Sequence, residues 1–268
     1  MEEKETRIAN YHTHTTRCGH ASGADEDYVR AAIAAGWRTL GFSDHAPWPY
    51  ESGFRSPTVR MTTEELPDYL ASLRALREKY RGEIRIYIGF ECEYFPAYMD
   101  WMRALKEKEL DYLILGNHFD RSDETGIYYG AATAPEQLMS YCENTIRGME
   151  TGLFACLAHP DLALMNYPVF DDAAREMSYR LCRRAKELGL PLEYNLQGQR
   201  LAERGKAKGL GYPYAGFWQI AKEVGNEVII GMDAHSPDAL ADDERYRRER
   251  SQLESWGLRL IDELPQLP

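Results

Sequence analysis

The chain has no run of apolar residues near the roughly 20 needed to cross a bilayer, so no membrane-spanning helix is expected. Its first residues, Met-Glu-Glu-Lys-Glu-Thr-Arg, contain no apolar core, so no secretory leader is expected either. No Cys-x-x-Cys pair occurs. The five cysteines (Cys18, Cys92, Cys142, Cys156, Cys182) are odd in number and scattered, which predicts reduced, core-filling thiols in a cytoplasmic protein. Positive charge is in deficit. The net charge of −11 argues against non-specific nucleic-acid binding. It also opposes an anionic substrate unless bound divalent metals and a few arginines supply local positive charge. Repeats, low-complexity tracts, linkers and a nucleophile elbow are all missing. What remains reads as one domain over residues 1–268, a length that single α/β barrels commonly have.

Seven times a continuous apolar strand is followed by an amphipathic helical pattern. The strands are expected at Ile8–His14, Thr39–Asp44, Ile84–Glu93, Asp111–His118, Phe154–His159, Leu190–Asn195 and Glu227–Asp233. Helix starts are expected at Asp25, at Thr62 with Glu65 or at Pro67, at Met99, at Thr133 with Glu136, and at Asp172. A further helix is marked by Phe217, Ile220 and Val224. Pro237–Trp256 reads as a charged surface helix and the remainder as a tail. Such alternation means a parallel sheet covered by helices. An open doubly wound sheet fits it, but a distorted (β/α)7 barrel better explains why polar residues close nearly every strand.

All seven histidines fall at or just after a predicted strand's C-terminal end. Strand one ends in His12 and His14, whose spacing puts both rings on one strand face, with His20 past Gly19 in the loop beyond. Strand two ends in Asp44-His45, strand three in Glu91, strand four in His118 and strand five in His159. Strand seven ends in Asp233, with His235 beyond it. A lone His-x-His is most often structural. Imidazoles and carboxylates converging on the active rim of a barrel are a metal site, suited to Zn, Mn or Fe.

The ordered set His12-x-His14, Ser43-Asp44-His45, Gly89-x-Glu91, His118, Ala158-His159-Pro160 and Asp233-x-His235 resembles the PHP (polymerase and histidinol phosphatase) family over about residues 8–240. Leu40 to Pro47, Val59-Arg60-Met61 and Ile88 to Tyr94 are most similar to the histidinol-phosphatase branch. Gly116-Asn117-His118-Phe119 and the sixth-strand end Glu193-Tyr194-Asn195-Leu196-Gln197 depart from the family pattern, which bears on substrate rather than on metal. The resemblance implies a trinuclear centre. His12, His14, Glu91 and Asp233 would hold the first metal, and Glu91, His118 and His159 the second, with Glu91 bridging. His20, His45 and His235 would hold the third. It also implies catalytic roles for Glu91, Asp233 and His235.

Among the neighbours, Asp44 reads as support behind a ligand, Asp161 as a loop cap, and Glu93 as either a ligand-orienting group or an exposed strand-end charge. The aromatic residues of Pro47–Tyr50 read as a packed loop or a substrate mouth. Arg200, then Arg17 and Arg60, are the candidates for holding phosphate, because a guanidinium fork matches phosphate oxygens. The expected activity is metal-dependent hydrolysis of a small phosphate monoester, histidinol phosphate foremost. The rivals are another phosphoesterase or nuclease of the family, a metal amidohydrolase, and a non-enzymatic domain with degenerate ligands.

Overall fold

The computed structural model of the protein describes residues 7–267. The charged stretch 1–6, read above as lacking a leader, lies outside the described residues. Within them, an eight-stranded parallel sheet runs in chain order. Its strands are β1 Arg7–Asn10, β2 Trp37–His45, β3 Arg85–Cys92, β4 Tyr112–Leu115, β5 Cys156–Leu157, β6 Leu192–Asn195, β7 Glu227–Gly231 and β8 Arg259–Leu260. The helices are α1 Asp25–Ala35, α2 Leu66–Lys79, α3 Met99–Glu109, α4 Pro135–Glu150, α5 Asp172–Glu187, α6 Leu196–Glu203, α7 Ala215–Val224, α8 Pro237–Leu240 and α9 Asp243–Trp256. Among the described residues no helix is long and apolar enough to cross a membrane.

The sheet curls until its first and seventh strands meet at the C-terminal rim. Thr13 bridges Ala234 in parallel. His14 N donates to Ala234 O at 2.9 Å, and Ala234 N to His12 O at 3.1 Å. Regular pairing of β1 stops at Asn10, short of the predicted His14, because the Asn10 side chain competes for the backbone. Its Nδ2 donates to His12 O, and its Oδ1 accepts from Met232 N. At the opposite end β8 lies beside β7, pairing Glu227 with Arg259 and Val228 with Leu260. The architecture is thus the distorted parallel barrel expected from the sequence, with one more strand than its seven.

That extra strand overturns the reading of the C-terminal residues as a tail. Tyr11, Tyr87, Tyr112, Ile114, Ala155, Cys156 and Ile229 form an interior cluster, and Leu264 is buried among them. Tyr112 fills the middle of the barrel, and its hydroxyl donates to Tyr11 O at 2.6 Å. Gly41 and Gly89 make room for it, since a Cβ at either would collide with the Tyr112 ring or hydroxyl. A second, larger cluster packs the outward strand faces against the helices. The five cysteines are free and buried.

Several helix starts move by a residue or two. Ala24, not Asp25, precedes α1, and Asp27 reaches back to Ala24 N; Asp25 is instead paired with Arg17. Asp171 rather than Asp172 caps α5 by accepting from Ala174 N. Gln137, not Glu136, folds back onto Thr133 N and Ala134 N at the head of α4. Thr62 and Glu65 do bond to each other, but in the turn before α2. The predicted helix over 237–256 is broken into α8 and α9 at residues 241–242.

The sequence reading misses α6, which starts directly from the last residue of β6. Asn195 is both strand end and N-cap, accepting from Gln197 N and Gly198 N. Gly198 weakens the helical signal, yet no larger residue fits there, because a Cβ would strike Tyr212.

Leu264, 2% exposed, tests whether the closing segment is part of the core. Leu264→Ala is expected to lower unfolding free energy by about 2–4 kcal/mol, the range for deleting a buried leucine side chain. Denaturant titration would show this as a lower midpoint, whereas an unchanged midpoint would return the segment to the status of a loose tail.

Candidate metal centre

The C-terminal strand ends bring the imidazoles and carboxylates onto one rim. His12 Nε2 and His14 Nε2 are 3.1 Å apart. His12 Nε2 lies 3.4 Å from Glu91 Oε2 and 3.5 Å from Asp233 Oδ1. His14 Nε2 lies 3.6 Å from Glu91 Oε2 and 3.1 Å from Asp233 Oδ1. A tetrahedral ion with bonds of about 2.0–2.1 Å has ligand–ligand edges of about 3.3–3.4 Å. These four atoms are therefore spaced as the corners of one coordination shell. The other oxygen of Glu91 faces elsewhere: Oε1 lies 2.6 Å from His159 Nε2 and 3.4 Å from His118 Nε2. One carboxylate thus serves two groups of donors, one oxygen to each, as a bridging ligand must.

A third group lies nearer solvent. His20 Nε2 and His235 Nε2 are 2.9 Å apart. Gly19, at φ 78°, turns the chain to deliver His20, and a Cβ there would collide with Pro57 O. His45 stands between the groups, with Nδ1 3.1 Å from Glu91 Oε2 and its ring 5.5 Å from that of His20. Donor atoms of His14, His45 and His235 all lie within 4.8 Å of one another.

Tautomers follow from the outer partners. His12 Nδ1 faces Glu193 Oε1 at 2.8 Å, and His14 Nδ1 faces Asp44 Oδ1 at 3.4 Å. Nδ1 of each ring donates outward, so two Nε2 lone pairs confront each other and two carboxylate oxygens. Such an arrangement requires a cation, either protons or a metal. Burial opposes protonation of His14, yet Asp233 and Asp44 outweigh it and raise its pKa to about 9. Burial likewise opposes charge on His12, but Asp233, Glu193 and Glu91 hold its pKa well above the usual imidazole value. Burial works to raise Glu91 and Asp233; the surrounding imidazoles prevail and keep both well below the ordinary carboxylate range. The outer imidazoles behave oppositely. Burial and neighbouring imidazoles lower His20 to about 4, and burial with His14 lowers His45 to about 3. Neutral imidazole is the ligating form. Asp233 Oδ1 and His45 Nδ1 are buried without a hydrogen bond, which fits donors meant for an ion.

Further residues hold these rings in place. Asp44 accepts from Thr15 N at 3.1 Å and from His45 N at 2.8 Å, and so supports two successive ligand loops. Glu93 Oε1 faces His118 Nδ1 at 3.2 Å. Asp161 is buried under α7, accepting from Tyr214 N and Trp218 Nε1, and burial raises its pKa to about 6. Glu193, read from the sequence only as a departure bearing on substrate, instead faces His12 Nδ1 at 2.8 Å. Besides facing His12 it accepts from His159 N at 3.2 Å and Asn195 Nδ2 at 2.9 Å, and Asn195 Nδ2 also reaches Asp233 Oδ2. The available signal was a carboxylate and an amide closing the apolar strand β6. Two of the candidate ligands, His159 (φ 28°) and Asp233 (φ 46°), occupy left-handed backbone, a strained conformation characteristic of functional positions.

The candidate arginines are dispersed. Arg17 is clasped by Asp25 at 2.9 Å and Asp68 at 2.6 Å. Arg60 is buried, with donors on Glu93, Asp123 and Ala46 O. Arg200 alone of the three lines a cleft of about 880 Å³ shared with His20 and His235. Its guanidinium bonds to Met232 O, Ala239 O and Asp242.

Gly116 borders Glu91 so closely that a Cβ would collide with Oε1. Gly116→Ala is therefore expected to reduce metal uptake by at least the ~10–100-fold typical of disturbed outer-shell residues, although no ligand is altered. Elemental analysis of reconstituted protein checks this, and a full complement would show that Glu91 has room to shift.

A family model described as the PHP domain matches residues 10–197. A probable histidinol-phosphatase of Deinococcus radiodurans is 29% identical over 254 residues, covering 87% of this chain and 88% of the relative. The histidinol-phosphatase of Bacillus subtilis is 28% identical, covering 84% of this chain and 92% of the relative. The structure of a Lactococcus lactis histidinol phosphate phosphatase complexed with zinc, L-histidinol and phosphate superposes with a TM-score of 0.70. It is 16% identical and covers 96% of each chain, a likeness of fold. With the family motif spanning most of its length and its ligand-bearing strand ends, the chain belongs to the PHP domain family.

Proposed function

We propose that this protein is a metal-dependent phosphate monoesterase and that its substrate is histidinol phosphate. The observation that carries the reading is the split carboxylate of Glu91, one oxygen turned to His12 and His14 and the other to His118 and His159. The relatives' names, and the histidinol and phosphate bound in the Lactococcus protein, support the choice of ester.

His12, His14, Glu91 and Asp233 would hold a first ion, Glu91, His118 and His159 a second, and His20, His45 and His235 a third, each zinc, manganese or iron. When bound, such ions supply positive charge for the phosphoryl oxygens and lower the pKa of water so that it attacks phosphorus at neutral pH. The chain's own residues do the rest. Glu91 fixes the separation of the two inner groups. Asp233 spans the inner and outer groups, with Oδ1 3.1 Å from His14 Nε2 and 3.3 Å from His235 Nδ1. His235 lines the cleft, and its proposed role is toward the departing alcohol. Arg200 stands on the same wall, and its side chain is 10% exposed. Each of the three arginines has carboxylate partners: Arg200 has Asp242, whereas Arg17 is held by Asp25 and Asp68 and Arg60 by Glu93 and Asp123. The cleft favours a small ester over nucleic acid, in keeping with the net charge of −11. The outer group of His20, His45 and His235 favours this reading over a metal amidohydrolase, and the full set of candidate ligands favours it over a structural domain.

On a panel of phosphate esters, metal-loaded protein should release phosphate fastest from histidinol phosphate, and activity should vanish on chelation. Faster turnover of a nucleotide or sugar phosphate would move the assignment within the family. Glu91→Gln should abolish turnover with the fold retained by circular dichroism, because an amide lacks the charge and the second oxygen. Near-normal turnover with full metal content would refute the bridging role. Arg200→Ala should raise KM about tenfold or more, the worth of one charge-assisted hydrogen bond, with metal content unchanged. An unaltered KM would turn attention to Arg17.

A further inference from the structure

Glu93, two residues beyond Glu91, is wholly buried. Its carboxylate gathers donors from two rim loops. Trp48 Nε1 donates to Oε2 at 2.9 Å, and Arg60 donates to Oε1 at 2.8 Å and to Oε2 at 3.2 Å. His118 Nδ1 faces Oε1 at 3.2 Å. Arg60 also donates through Nε to Asp123 Oδ2 at 3.1 Å and through Nη1 to Ala46 O at 3.0 Å. Asp123 accepts from Tyr50 as well, and Ser52 donates to Glu124 at 2.8 Å. The loop after β2 (residues 46–61) and the loop after β4 (residues 116–128) are therefore joined through one guanidinium, and that guanidinium rests on the carboxylate behind His118.

Of the two imidazoles that face Glu91 Oε1, His118 is the one that needs such support. Its side chain is 13% exposed against 2% for His159, so packing does little to fix its ring. The Nδ1 contact with Glu93 sets the direction in which Nε2 points. Arg60 in turn sets the Glu93 plane, because a bidentate fork aligns both oxygens at once.

We propose that Arg60 and Glu93 form a positioning pair that couples the two rim loops to the second metal site through His118. The pairing of Arg60 with Asp123, a residue outside the ligand set, becomes part of that site's affinity. The inference rests on the metal-centre reading and concerns the site of Glu91, His118 and His159 alone.

The experiment counts tightly held metal in the full-length, metal-loaded protein during titration with a competing chelator, with cobalt-substituted samples followed by absorption. Arg60→Lys keeps the charge and loses the fork. It should loosen one metal equivalent by ~10–100-fold, the range for outer-shell changes, and alter the cobalt spectrum while the other equivalents stay bound. Asp123→Asn should loosen the same equivalent by a smaller factor. Wild-type affinity at every site in both variants would overturn the proposal. So would loss of all equivalents together with a fall in melting temperature, since that marks a role in folding only. Loosening by Arg60→Lys with no effect of Asp123→Asn would overturn the coupling of the second loop. A wild-type protein that took up no metal would defeat the metal-centre reading itself, an outcome separate from these.

Discussion

Glu91 and Asp233 are buried together beneath the rim, and the rest of the site answers that constraint. Two carboxylates removed from water carry a large desolvation cost unless positive charge is close by. Neutral imidazoles do not provide it. The chain therefore surrounds both groups with nitrogen donors and leaves the compensating charge to come from outside as protons or metal ions. Every neighbouring choice follows from this. Glu193 and Asp44 hold the inner rings by their far nitrogens, so the near nitrogens stay available. Gly116 and Gly231 leave space where a side chain would strike Glu91 or Glu193.

The barrel divides this labour between its ends. Its interior is filled by Tyr11, Tyr87, Tyr112 and Leu264, which pack together and stiffen the strands. The rim carries the polar residues, on the last paired residues of β2, β3 and β6 and on the loops that follow the strands. A stiff base and an adjustable rim suit ligands that must agree within a few tenths of an ångström, because error in the strands would multiply at their ends.

The alternation of strand and helix is legible in the sequence because apolar runs with a two- or four-residue rhythm need no tertiary context. The rim is legible for a different reason: histidines are scarce, and theirs fall at strand ends. What escapes is what depends on neighbours far away in the chain. Glu193 looks like any strand-end carboxylate until β6 is set beside β7, with His12 across the barrel. The helix after Asn195 is hidden by Gly198, which is there to admit Tyr212. Arg60 resembles a phosphate-binding arginine in sequence, and only the folded loops show its fork occupied by Glu93 and Asp123. The closing segment was obscured because β8 spans only Arg259–Leu260, too short for a periodic pattern.

The left-handed backbone at His159 and Asp233 has an evolutionary consequence. Outside glycine, that conformation is tolerated best by asparagine, aspartate and histidine. Two of these three are also good metal ligands, so at both positions shape and chemistry admit nearly the same short alphabet. A lineage that exchanges one metal for another can swap histidine and aspartate there without rebuilding the turn. A lineage that abandons catalysis can drift to asparagine, keeping the contour of the rim while discarding its charge. Glutamate, the natural substitute for aspartate elsewhere, is closed to both by the backbone before any metal is considered.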